Sequence, residues 1–162
     1  MSPLPQLHVP PQSESEPETC TCLAVRQAAR HVTQFYDQFL APSGLRTTQF
    51  SILAKLRRLG PITINALAAD LVMDRTTLGR NILPLEREGL IVIVPSKSDR
   101  RSKELHLTAE GVARLRSAMK GWAQAQISFE AAFGAKRAEE LRRLLHAVSA
   151  SDFGREPDNR VS

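Results

Sequence analysis

The sequence predicts a mainly α-helical chain with one small β-hairpin, and three observations carry that prediction. Apolar residues recur at three- and four-residue intervals in several separate segments, the spacing that gathers them on one side of a helix. Two short β-prone stretches, Leu90 to Val94 and Glu104 to Leu107, are joined by a polar loop. Pro, Gly and helix-capping residues fall at the boundaries. The 162 residues suffice for one compact domain with helical extensions, and not for two large lobes.

Residues 1–19 hold Pro3, Pro5, Pro10, Pro11 and Pro17 among Ser, Gln and Glu, a composition that predicts a disordered acidic tail. From Cys22 onward Val25, Ala29, Val32, Tyr36 and Phe39 share one side of a first helix, which Pro42, Ser43 and Gly44 stop. A second helix runs from about Thr47 to Arg58, with Phe50, Leu53 and Leu56 inward and Lys55, Arg57 and Arg58 outward; Gly60 and Pro61 close it. Thr63 caps a short helix that continues through Leu71, and Asp74 caps the next, from Arg75 to about Glu88. Gly89 stands where a left-handed residue ends that helix at low steric cost.

The hairpin follows, with Leu105 and Leu107 alternating against Glu104 and His106. Thr108 caps a long helix carrying Val112, Leu115, Met119 and Trp122, then Ile127, Phe129 and Phe133, until Gly134 breaks it. A final helix, about Lys136 to Ser149, has Leu141, Leu144, Leu145 and Val148 as its apolar stripe. This order is a winged helix-turn-helix flanked by N- and C-terminal helices. It divides the chain into a tail at 1–19, a helix at 20–45, the winged domain at 46–108, paired helices at 109–150 and a polar tail at 151–162. The apolar stripes of the terminal helices exceed what a small winged domain can cover, which predicts dimerisation through them.

Twenty-two Lys and Arg against seventeen Asp and Glu give a net charge of +5. Residues 1–19 contain Glu14, Glu16 and Glu18 and no Lys or Arg, so the remainder is more basic than the total, which favours an anionic partner. The five-residue run Leu90 to Val94 is too short to span a bilayer, and the start lacks a signal pattern, so a cytoplasmic protein is expected. Cys20 and Cys22, one residue apart, and four scattered histidines match no zinc spacing. No metal or other cofactor is expected. No phosphate-binding glycine loop and no nucleophile, base and acid set argues for an enzyme.

The chemistry concentrates in two places. On the helix capped by Asp74, Leu78, Ile82 and Leu85 form the packing side, while Arg75, Thr76, Thr77, Arg80 and Asn81 supply donors and acceptors suited to base edges and phosphates. Pro84 cannot donate to the carbonyl of Arg80, so a bend is expected beyond the groove-reading residues. In the loop from Pro95 to Lys103, Lys97, Arg100, Arg101 and Lys103 concentrate positive charge on a projecting tip. Asp99, two residues before Arg101, is placed to pair with its guanidinium. A solvated helix face and a solvated basic turn are the plainer alternatives for these two features.

The run Ser98-Asp99-Arg100-Arg101-Ser102-Lys103-Glu104-Leu105-His106-Leu107-Thr108 resembles the wing signature of the MarR family of bacterial transcription regulators, an Asp, any residue, an Arg, then a strand ending in Leu-Thr. Leu85-Glu86-Arg87-Glu88-Gly89-Leu90-Ile91 resembles that family's passage from recognition helix to wing, and the likeness extends over about residues 22 to 149. The resemblance implies a homodimer, in most members a repressor, that binds a pseudopalindromic operator in double-stranded DNA. Each subunit would place its recognition helix in the major groove and its wing in the minor groove. Arg101 matches the minor-groove arginine and Asp99 its orienting partner; Arg75, Thr76, Thr77 and Arg80 fall in the groove-facing region.

Cys22 with Tyr36 farther along the same stripe is similar to the family's hydroperoxide sensors, although Arg26 stands where those sensors usually carry a tyrosine. A small core hydrophobe is the other reading of Cys22. Many members release DNA when a small, often aromatic, ligand binds, and Phe35, Phe39, Phe50 and Trp122 are the candidate pocket residues here. The rival function is a winged-helix module that engages a protein partner and binds nucleic acid only weakly.

Overall fold

A computed structural model describes residues 19–153. The tails expected at 1–19 and 151–162 therefore lie almost wholly outside the described residues. The chain divides into two compact units, residues 1–35 and 36–162. The described part of the first unit is largely the beginning of helix α1 (Thr21–Leu40), on which Leu23 and Val25 are exposed.

In the second unit the end of α1 leads through a short 3-10 turn, Ala41–Ser43, into α2 (Thr47–Leu59). There follow β1 (Ile62–Thr63), α3 (Ile64–Asp70), α4 (Arg75–Arg87), β2 (Ile91–Pro95), β3 (Lys103–Leu107), α5 (Ala109–Phe133) and α6 (Ala135–Ala150). The winged helix-turn-helix predicted from the sequence is present, mainly helical with a small sheet.

Local chemistry sets most of the boundaries. The hydroxyl of Thr63 accepts the amide of Ala66 at 3.2 Å, the carboxylate of Asp74 accepts that of Thr77 at 2.8 Å, and the hydroxyl of Thr108 accepts that of Gly111 at 3.0 Å. Each bond satisfies one of the amides that a helix start leaves without a partner. Helix α2 is capped from a distance, because Asp37 of α1 accepts both the amide and the hydroxyl of Thr47, at 2.7 and 2.6 Å. Gly89, at φ 71°, turns the chain out of α4 and into β2. Helix α4 itself runs unbroken through Pro84.

The sheet has three antiparallel strands in the order β1-β3-β2, one more than the hairpin alone. Strand β1 pairs Ile62 with Leu105 and Thr63 with Glu104, while β2 sets Ile93 opposite Leu105 and Ile91 opposite Leu107. A two-residue strand has no periodicity to reveal it in the sequence. Thr63 serves twice, ending β1 and capping α3.

One continuous core lies between α2, α3, α4 and the sheet and extends to α5. Leu53, Leu67, Leu78, Leu85 and Leu105 are fully buried within it; each such side chain contributes about 1.5–3 kcal/mol relative to exposure. Polar contacts fix the elements around this core. Lys55 pairs with Asp70 at 2.6 Å, tying α2 to α3. Arg114 of α5 reaches Glu88 beyond α4 at 3.3 Å and the carbonyl of Ser43 at 3.4 Å. Thr108 donates to the carbonyl of Gly89 at 2.7 Å, and its own amide bonds the carbonyl of Leu90 at 3.1 Å, so the end of β3 is fastened to the start of β2.

Candidate nucleic-acid interface

Helix α4 buries one side and opens the other. Leu78, Ile82 and Leu85 are sealed in the core, whereas Arg75, Thr76, Thr77 and Arg80 are exposed and Asn81 is half-buried. A step of four residues brings a helix round by about one turn, so Thr76 and Arg80 stand above one another on the open side. Two of the polar side chains also serve the helix. The hydroxyl of Thr77 donates to Asp74 at 2.5 Å, and the amide of Asn81 donates to the carbonyl of Thr77 at 2.8 Å. The Asp74 carboxyl is held below the usual carboxylate range, first by the Thr77 hydroxyl and then by the Thr77 amide.

The wing is the loop between β2 and β3. Lys97, Asp99, Arg100, Arg101 and Lys103 are all exposed there. The loop nevertheless has fixed internal geometry: the amide of Ser96 bonds the carbonyl of Ser102 at 2.9 Å, and that of Ser102 bonds the carbonyl of Asp99 at 2.9 Å. The Asp99 carboxylate accepts the backbone amide of Arg101 at 2.9 Å. The sequence suggested a pairing with the guanidinium; the contact formed is to the backbone, which sets the turn and leaves the Arg101 side chain extending into solvent. The turn from Asp99 to Ser102 and the residues flanking it thus carry four cationic side chains on a short, hydrogen-bonded prong.

The candidate ligand and redox residues fall in both units. Phe50 is buried and stacks on Trp122, with ring centroids 6.2 Å apart and planes 19° from parallel, so these two rings fill core space. Phe39 is half-buried in the second unit, and Phe35 belongs to the first. Cys20 and Cys22 are free and exposed on the chain, which overturns the reading of Cys22 as a core hydrophobe. Tyr36 lies in the other unit, where its hydroxyl donates to Gln126 and its ring meets Phe129 at 6.4 Å. Burial pushes the Tyr36 phenol up, Arg142 opposes the shift and Glu130 adds to it.

Among the described residues no helix is long and apolar enough to cross a membrane, and no group of three or more His, Cys, Asp or Glu is arranged to hold a metal ion. Sequence reasoning missed Ser96, which is 2% exposed at the root of the wing, and its bond to Glu104. A serine in a polar loop gives no advance sign of burial.

A helix-turn-helix with an open basic side, followed by a cationic β-wing, defines a nucleic-acid-binding class of protein. Comparison with known proteins narrows the class. The MarR family model matches residues 45–103, from the start of α2 to the wing. The M. tuberculosis transcriptional regulator MosR, solved in complex with DNA, is 38% identical, superposes with a TM-score of 0.70 and is matched over 81% of this chain and 97% of its own. An uncharacterised HTH-type transcriptional regulator of Bacillus cereus is 32% identical over 62% of this chain and 63% of its own length, so the match spans less than two thirds of that relative. The HTH-type transcriptional regulator PecS of Dickeya dadantii is 29% identical over 69% of each chain. The chain belongs to the MarR family of DNA-binding transcription regulators, which are not enzymes.

Proposed function

We propose that this protein is a dimeric, sequence-specific transcription regulator, of the repressor type common in its family, that binds a pseudopalindromic operator. The observation that carries the reading is the joint exposure of Arg75, Thr76 and Arg80 on α4 and of Lys97, Arg100, Arg101 and Lys103 on the wing, each set held by its own hydrogen bonds. In this reading α4 enters the major groove, where Arg80 reads base edges, and Arg101 enters the minor groove. Asp99 acts through the backbone turn of Arg101, while Thr77 and Asn81 hold the start of α4 and contribute contacts on its open side. That MosR was solved with DNA supports the reading.

Dimerisation is supported by apolar side chains left open on the last two helices. Ile127 on α5 and Leu144, Leu145 and Val148 on α6 are between 43% and 63% exposed, more than solvated helices of one chain need. A twofold pair bound through them would place two readers on the two halves of a symmetric site. For release from DNA, the exposed free thiol of Cys22 favours oxidation over an aromatic ligand seated at Phe50 and Trp122, since those two rings already fill the core. A hydroperoxide would convert the thiolate to sulfenic acid, with the alcohol leaving.

Binding titrations at several salt concentrations test the main reading. Affinity for a selected operator should fall steeply with salt, and Arg101→Ala should weaken binding and reduce the slope by about one. Arg80→Ala should relax the preferred base instead. If both variants bind like the parent, these residues do not form the interface. Peroxide treatment that leaves both operator affinity and the Cys22 thiol unchanged would remove the oxidative release.

A further inference from the structure

At the root of the wing lies a chain of contacts that joins a buried hydroxyl to a carboxylate. Ser96 is 2% exposed, and its hydroxyl donates to Oε1 of Glu104 at 2.6 Å. Its single proton is thereby committed, so the hydroxyl of Ser98, 2.9 Å away, is the donor in their mutual bond; the Ser98 amide donates to the same oxygen at 3.3 Å. The other carboxylate oxygen of Glu104 lies 3.4 Å from Nε2 of His106, a buried nitrogen with no hydrogen-bond partner. Glu104 also sits at the centre of the sheet register, paired with Thr63 on one side and Val94 on the other.

The same serine closes the loop. Its amide bonds the carbonyl of Ser102, Ser102 bonds the carbonyl of Asp99, and Asp99 accepts the amide of Arg101. Movement of Ser96 is therefore transmitted along three hydrogen bonds to the backbone of Arg101. A buried hydroxyl with an ionised acceptor gives a stronger bond than a neutral pair, and one that costs most when the acceptor is removed.

We propose that Ser96 and Glu104 are positioning residues of the wing, a pin that sets the place from which Arg101 reaches DNA. The proposal rests on the DNA-binding reading above. Glu104 touches no base or phosphate in this scheme; it acts through Ser96 and the loop.

The test uses the full chain and an operator recovered from random duplexes, with affinities for the parent, Glu104→Leu, Glu104→Gln, Arg101→Ala and the Glu104→Leu, Arg101→Ala pair at one salt concentration. Glutamine keeps an oxygen for Ser96 and offers an N–H toward His106 Nε2, so Glu104→Gln should stay close to the parent. Glu104→Leu should lose affinity by about tenfold, and the double variant should bind no worse than Arg101→Ala alone. If the Glu104→Leu loss adds in full to that of Arg101→Ala, or if Glu104→Leu binds like the parent, the proposal is overturned. Ser96→Ala, compared with Ser96→Thr, repeats the cycle should Glu104→Leu melt early: affinity lost with alanine and kept with threonine supports the pin, and equal affinities refute it. A parent that selects no duplex defeats the DNA-binding reading and the pin together, whereas a parent that binds without coupling defeats the pin alone.

Discussion

Val72 occupies the left-handed region at φ 52° in the turn between α3 and α4, and its side chain is 62% exposed. A β-branched residue there suffers a clash between Cβ and the following carbonyl that asparagine tolerates better. Val72→Asn should therefore stabilise the fold by about 1 kcal/mol, seen as a higher melting temperature. Asp74 makes the opposite case. Its folded carboxyl titrates below its usual range because Thr77 donates to it through hydroxyl and amide, so its stabilisation is present above the unfolded value and disappears as pH falls through the folded one. The melting difference between the parent and Asp74→Ala should be full near neutral pH and shrink in acid; a difference that grew in acid would contradict the assignment. Asp74, Thr63 and Thr108 were legible because a cap acts within three residues. Asp37 and Ser96 were not, since their partners lie ten and eight residues away.

The longer elements were legible to within a few residues because each bears a stripe and a stop. Strand β1 escaped, as did the way α5 is joined to the wing. Gly111 in its first turn lies so close to β2 that a Cβ there would stand 2.0 Å from the carbonyl oxygen of Leu90 and 2.7 Å from a methyl of Leu107. Backbone cannot yield as a long side chain can, so Gly111→Ala should force the helix off the sheet and cost about 1–3 kcal/mol, or more, in urea unfolding. A variant with parental stability would show that the helix and strand are not packed in this way. The residues proposed to contact DNA were readable as exposed polar positions of α4 and the wing, since helical period and loop charge are properties of sequence. Which of their groups are engaged within the protein, as Thr77 and Asn81 are, required the fold.

At the scale of the whole molecule, the open apolar side chains of α5 and α6 are the surface proposed to meet a second copy. Light scattering behind size exclusion should give twice the chain mass of 17.9 kDa, and Leu144→Glu with Val148→Glu should shift it toward the single-chain value by placing charge in an apolar contact. The family was readable from the wing motif, while the choice of operator is not, because it depends on a few side-chain contacts to base edges. The most direct test of the central claim is selection of bound duplexes from a random pool by the full-length protein, followed by sequencing. The account predicts enrichment of a pseudopalindrome whose half-sites are centred about one helical turn apart. A pool that stays random, or that yields only a single unrepeated half-site, would contradict it.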